Sequence, residues 1–171
     1  MVNLLRHLVP ACIRLELATL PLPVPDPETP AQAQRRREDE KELVLRELAE
    51  LFDASGHVVN PSKLVRDLMY RERQASTGIG GGLAIPHVRS LQIRTFTMGL
   101  ARSREPLSFD AIDGEPVRLF ILLGAPPYDD KVFHQAYRAW AEVLSDDATR
   151  DGLMTAEDPQ EIFNLLRRHW R

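Results

Sequence analysis

The chain has 171 residues, 22 basic against 25 acidic side chains, and one cysteine. That length suits one domain with a well-filled core, and a net charge of −3 gives no bulk attraction for nucleic acid or an anionic membrane. Cys12, having no second cysteine to pair with, excludes an internal disulfide framework and a multi-cysteine metal centre. No stretch approaches the roughly 18 apolar residues of a membrane span, so membrane insertion is not expected. Arg6 and His7 break the apolar N-terminus, and no cleavage motif follows it. The expectation is a cytoplasmic protein.

In chain order, Ile13, Leu15 and Leu17 alternate with Arg14 and Glu16, which predicts a half-buried strand over 12–17 with Cys12 as a small packed side chain. Five of the chain's 13 prolines then fall between Pro21 and Pro30, which predicts an extended loop over 21–34. The charged run from Arg35 to Glu42 reads as the solvated face of a helix. Val44, Leu48, Leu51 and Phe52 form its apolar stripe, and Gly56 ends it. A second helix starts at Asn60-Pro61-Ser62, a capping residue followed by proline at the first helical position, and closes at Arg71-Glu72-Arg73. Leu64, Val65, Leu68 and Met69 form its apolar stripe.

Ser76 to Gly82 is too glycine-rich for a helix, and Leu83-Ala84-Ile85 reads as a short strand closed by Pro86-His87. Further strands are expected over 95–101 and 117–123, with Asp113-Gly114 supplying turn chemistry before the second. The last 40 or so residues read as helical. Phe133, Tyr137, Trp140 and Leu144 form one stripe there, and Ile162, Leu165 and Leu166 another. The order predicts one domain over 1–171 of α/β class, a mixed sheet flanked by helices in three α/β/α layers.

The glycine cluster fails as a nucleotide loop. Counted from Gly78, the dinucleotide pattern would need glycine where Leu83 stands, and no Gly-Lys pair follows. What the cluster leads to is His87, fixed behind a proline. A neutral imidazole is a competent nucleophile near neutral pH, because its ordinary pKa of about 6.5 leaves one nitrogen free. The small residues before it keep the approach open to another protein's reactive group. Backbone N–H groups of such a loop can also solvate a phosphoryl group. Neither a cofactor nor a metal is called for.

Arg71-Glu72, Ser76-Thr77-Gly78-Ile79-Gly80, Gly82, Ala84-Ile85-Pro86-His87 and the run Phe109 to Val117 together form a distinctive set. At this spacing the chain resembles the type-2 enzyme IIA domain of the bacterial phosphoenolpyruvate-dependent phosphotransferase system, the fructose, mannitol and nitrogen-regulatory group. The resemblance covers roughly residues 40–171. It implies that His87 accepts a phosphoryl group from the phosphohistidine carrier HPr or a paralogue. The group would then pass to a partner, such as a cysteine of enzyme IIB or a regulatory protein.

It further implies that Arg71 is the site's arginine, suited to the task because a guanidinium meets phosphate oxygens bidentately. Glu72 is expected to be a structural partner. Gly81 and Ala75 depart from the family's usual asparagine and glycine, and the proline-rich insert is atypical. A second site histidine is expected in the tail. The alignment puts Phe133 in its column and His134 beside it, so His134 enters the candidate site with His87 and Arg71. His7, His57 and His169 are expected at the surface. No enzyme IIB, IIC or HPr segment adjoins within these residues, which favours the nitrogen-regulatory branch. The rival is a binding module of the same fold that docks regulatory targets with little transfer.

Overall fold

The computed structural model describes residues 3–170. After a 3-10 turn at Leu4–His7 come β1 (Leu8–Arg14), α1 (Pro30–Asp53) and α2 (Pro61–Gln74). Three short strands follow: β2 (Gly78–Gly80), β3 (Leu83–Ala84) and β4 (His87–Arg89). Two long strands, β5 (Thr97–Leu107) and β6 (Val117–Ala125), precede α3 (Asp130–Ser145), α4 (Asp147–Thr155) and α5 (Pro159–Leu166). The sheet is ordered β1-β5-β6-β3-β2, and β4 also lies along β6. Its pairs are parallel for β1/β5, β3/β6 and β4/β6, and antiparallel for β5/β6 and β2/β3.

The expected α/β/α layering follows from β6. Its run Val117-Arg118-Leu119-Phe120-Ile121-Leu122-Leu123 has apolar residues on both faces, as a strand covered on both sides requires. Leu119, Ile121 and Leu123 pack with Trp140, Val143, Leu153 and Ile162 of the C-terminal helices. Phe120 and Leu122 pack with Leu48, Phe52, Leu64 and Leu68 of α1 and α2. No helix among the described residues is long and apolar enough to cross a membrane.

The structure corrects several expectations about individual elements. The first strand runs from Leu8 to Arg14, not over 12–17. It tolerates Pro10 because it is an edge strand paired only with β5, where a missing N–H costs little. Regular pairing ends at Arg14, although the Leu17 N–H still donates to the Arg102 carbonyl of β5 (2.8 Å), and beyond it the Glu47 carboxylate takes the N–H groups of Ala18 (2.7 Å) and Thr19 (2.9 Å).

The loop expected over 21–34 stops at Thr29. Thr29 and Gln32 form a reciprocal capping box, and Pro30 sits at the first helical position, where its lack of an N–H is harmless. The remaining loop is a strap over α1. The Leu22 N–H donates to Glu40 (2.9 Å), and Arg36 pairs with Glu28 (2.7 Å). The charged run is therefore not wholly solvated: Glu40 is buried, and it also accepts from the Ser108 N–H (2.5 Å).

The strand expected over 83–85 is the two-residue β3, and His87, expected only to close it, instead begins a further strand, β4. Two surface assignments also change. His7 packs edge-on against Phe96, and His57 is half-buried with Nδ1 2.7 Å from the Thr97 hydroxyl. His169 is exposed, as expected, and meets Thr149 (2.8 Å).

Candidate functional site

Three separate segments converge at the start of β4. Asn60 caps α2 through the Lys63 N–H (3.0 Å), and the helix delivers Arg71 and Glu72 in its last turn. The buried Glu72 carboxylate then grips the chain as it leaves the helix. It accepts from the Thr77 N–H (2.7 Å) and hydroxyl (2.7 Å), while Lys41 of α1 pairs with it at 3.1 Å. Thr77 in turn receives the Ile85 N–H on its carbonyl (2.9 Å). A carboxylate on one helix thereby fixes both arms of the hairpin that leads to His87.

The hairpin turn needs its glycines. Gly80, Gly81 and Gly82 all have positive φ, a conformation other residues rarely adopt. Asp113 braces the turn by accepting from the Gly81 N–H (2.9 Å). Gly78 is required for a different reason: a Cβ there would stand 2.7 Å from the Ala111 Cα.

His87 is half-buried, with its two ring nitrogens in different settings. Nδ1 lies 2.7 Å from the Ile85 carbonyl, which can only accept, so Nδ1 carries the proton. Nε2 therefore presents its lone pair, 2.9 Å from an Arg71 Nη2 that donates to it. The other Arg71 amino group is anchored on the Ala75 carbonyl (2.9 Å). Burial pushes the His87 pKa below its usual 6.5 and the Arg71 charge adds to this, against the Ile85 hydrogen bond. The ring is neutral at pH 7, and its free nitrogen faces the cation. When Nε2 forms a new bond the ring gains positive charge, and the Ile85 carbonyl is placed to stabilise it.

An open groove of about 740 Å³ gives access to this nitrogen. Its walls include Tyr70, Arg71, His87, Arg89 and Phe133, with His134 at the rim. Phe133 is the residue that meets the histidine, with ring centroids 5.6 Å apart, and Tyr137 packs at 5.7 Å. His134 is exposed and edge-on to Phe133, one position further round the helix. The structure thus joins His87 and Arg71 directly, while His134 lines the groove beside the Phe133 ring.

The fold and this histidine–arginine pair can be set beside known proteins. The family model described as phosphoenolpyruvate-dependent sugar phosphotransferase system, EIIA 2, matches residues 33–169. The chain belongs to this family. Its relatives include the fructose-specific EIIA component of Haloferax volcanii, 30% identical over 74% of this chain and 82% of that protein. A nitrogen regulatory protein of Pseudomonas aeruginosa is 32% identical over 72% and 75%. The fructose-specific EIIABC component of Bacillus subtilis is 27% identical over 76% of this chain, which spans only 20% of that longer protein.

Among solved structures, the nitrogen regulatory protein IIA-Ntr of Neisseria meningitidis superposes with a TM-score of 0.70. It is 25% identical over 94% of this chain and 97% of that one. The mannitol enzyme IIA of Escherichia coli, solved in complex with phosphorylated enzyme IIB, has a TM-score of 0.68 at 18% identity. That match covers 94% and 97% of the two chains. Members of the EIIA 2 family are phosphoryl carriers that work by phosphohistidine transfer.

Among the groove residues that sequence reasoning missed is one charged neighbour of the histidine. Arg89 follows His87 by two positions on β4, and strand periodicity alone would have put both on one face. It pairs with Asp130 at the start of α3, and its guanidinium lies over the Phe133 ring, 6.0 Å from the centroid.

Proposed function

We propose that His87 Nε2 is the phosphoryl acceptor of this EIIA-type carrier and that Arg71 steadies the transferring group. The observation that supports this most is the split of the imidazole. Nδ1 is committed to the Ile85 carbonyl, while Nε2 carries no proton, meets only the Arg71 guanidinium and lies on an open groove. Transfer between phosphohistidines is mainly positioning and charge stabilisation, and both are built in here. The donor's N–P bond breaks as the Nε2–P bond forms, and the Nδ1 proton stays in place. His134, at the rim, assists little.

The donor in this reading is HPr or a paralogue, the whole chain acts as one domain, and the reaction takes place in the cytoplasm. The recipient is an enzyme IIB or a regulatory protein. Similarity to the Pseudomonas nitrogen regulatory protein supports the regulatory branch, in which the chain docks to regulatory targets. The test is incubation with phosphoenolpyruvate, enzyme I and HPr, followed by intact mass. The wild type should gain one acid-labile phosphoryl group, and His87→Ala should fold and gain none. Undiminished uptake by that variant would overturn the assignment.

A further inference from the structure

Arg71 alone is a poor match for the charge it would have to hold. A phosphoryl group on Nε2 brings two negative charges and three acceptor oxygens. Arg71 offers a single positive charge, and one of its amino groups is already tied to the Ala75 carbonyl. Of the two α3 rings packed on the imidazole, Phe133 has no hydrogen-bond donor, and Tyr137 carries a hydroxyl but no positive charge.

We propose that Arg89 is a second phosphoryl-binding cation, held in reserve by Asp130 until His87 is charged. This rests on the reading of His87 as the acceptor. Arg89 shares a strand face with His87, lines the same groove, and lies against the same Phe133 ring. The Phe133 ring offers its face to the guanidinium, a contact arginine favours. The Arg89 side chain can therefore pivot on this surface and remain packed. The field of Arg89 already reaches the imidazole.

The present partner is easily given up. Both members of the Arg89–Asp130 pair are about half exposed, at 48% and 58%, so solvent screens the attraction and the pair contributes little. A phosphoryl dianion beside Arg71 in the half-buried groove offers twice the charge and more oxygens than one carboxylate. Asp130 is not stranded by the exchange, because it stands in the first turn of α3, where the helix dipole favours an anion. Charging His87 therefore moves Arg89 from Asp130 to the phosphoryl oxygens. A carboxylate becomes bare at the groove's edge, and no proton moves in this partner exchange.

Phosphoramidate, a small-molecule phosphoryl donor, tests this without any docking partner. Uptake on His87 is followed by acid-quenched intact mass for the wild type, Arg89→Gln, Arg89→Lys and Asp130→Asn. Arg89→Gln should slow uptake about tenfold. Arg89→Lys should recover part of the rate, and Asp130→Asn should raise it a few-fold because Arg89 is released. Melting temperatures should hardly move, since the pair is exposed.

Wild-type rates in Arg89→Gln would overturn the proposal and leave His87 as the acceptor. The same holds if the variant is slowed only with phospho-HPr as donor, which would make Arg89 a docking residue. An Asp130→Asn variant as slow as Arg89→Gln would also overturn it, by making the intact pair the functional unit. A wild type charged by neither donor would overturn the His87 reading itself.

Discussion

Removing the Glu72 carboxylate tests whether that group builds the site or takes part in its chemistry. Its oxygens accept from the Thr77 N–H and hydroxyl, both at 2.7 Å, and pair with Lys41 at 3.1 Å. In Glu72→Ala the Thr77 N–H loses its partner inside the protein, and Lys41 keeps Asp110 at 3.4 Å and the Phe109 ring at 5.0 Å. A buried unsatisfied donor costs about 1–3 kcal/mol, and breaking one side of a buried ion pair costs roughly 3–5.

These losses overlap, so the expected destabilisation is about 4 kcal/mol, or roughly 10 °C in Tm for a chain of this size. Glu72→Gln keeps the shape and one acceptor and should lose less than half of that. Urea and thermal unfolding measure both, alongside phosphoryl uptake on His87. Since Glu72 is a brace, Glu72→Gln should charge His87 within about threefold of the wild type, under roughly 1 kcal/mol of barrier. A Glu72→Gln variant with an unchanged Tm and uptake slowed a hundredfold would refute this reasoning and make the carboxylate a proton carrier.

Burial lowers the His87 pKa, so the unfolded chain protonates first on acidification. The neutral ring's contribution to stability is thus complete above about pH 6.5 and lost as pH falls through the lower folded value, a slope that His87→Ala should remove from urea titrations. Glu47, held below the usual carboxylate range by the N–H groups of Ala18 and Thr19 despite its burial, fastens the proline-rich strap. Glu47→Ala should speed proteolysis within residues 15–28 and destabilise by about 2–4 kcal/mol while His87 still charges; loss of charging would give the strap a functional role. Phe133→Ala should cost roughly 3 kcal/mol in thermal melts, because the ring is nearly buried, whereas the exposed His134→Ala should stay within about 0.5. A His134→Ala variant that charges as slowly as Arg71→Ala would return His134 to the site.

How much was legible in the sequence varied with the range of the interaction. The α2 start was plain in Asn60-Pro61, because a cap and a following proline act within one turn. The same local chemistry operates at Thr29-Pro30, but the neighbouring prolines obscured it, and the helix begins several residues before the predicted end of the loop. His87 stood out through the residues immediately before it, and the covered sheet through the order of strands and helices.

Contacts across long separations were not legible. Glu40 and Glu47 look like ordinary solvated charges until the strap returns over them, 18 to 29 residues earlier in the chain. Nothing local pairs Arg89 with Asp130 across 41 residues, or Lys41 with Glu72. Residue order alone determined what each turn, cap and strand could be, because propensity, capping and periodicity depend on near neighbours. Only the tertiary structure decided which His87 nitrogen is free and which carboxylates are buried. Those outcomes belong to side chains that touch only after the sheet has closed and both of its faces are covered.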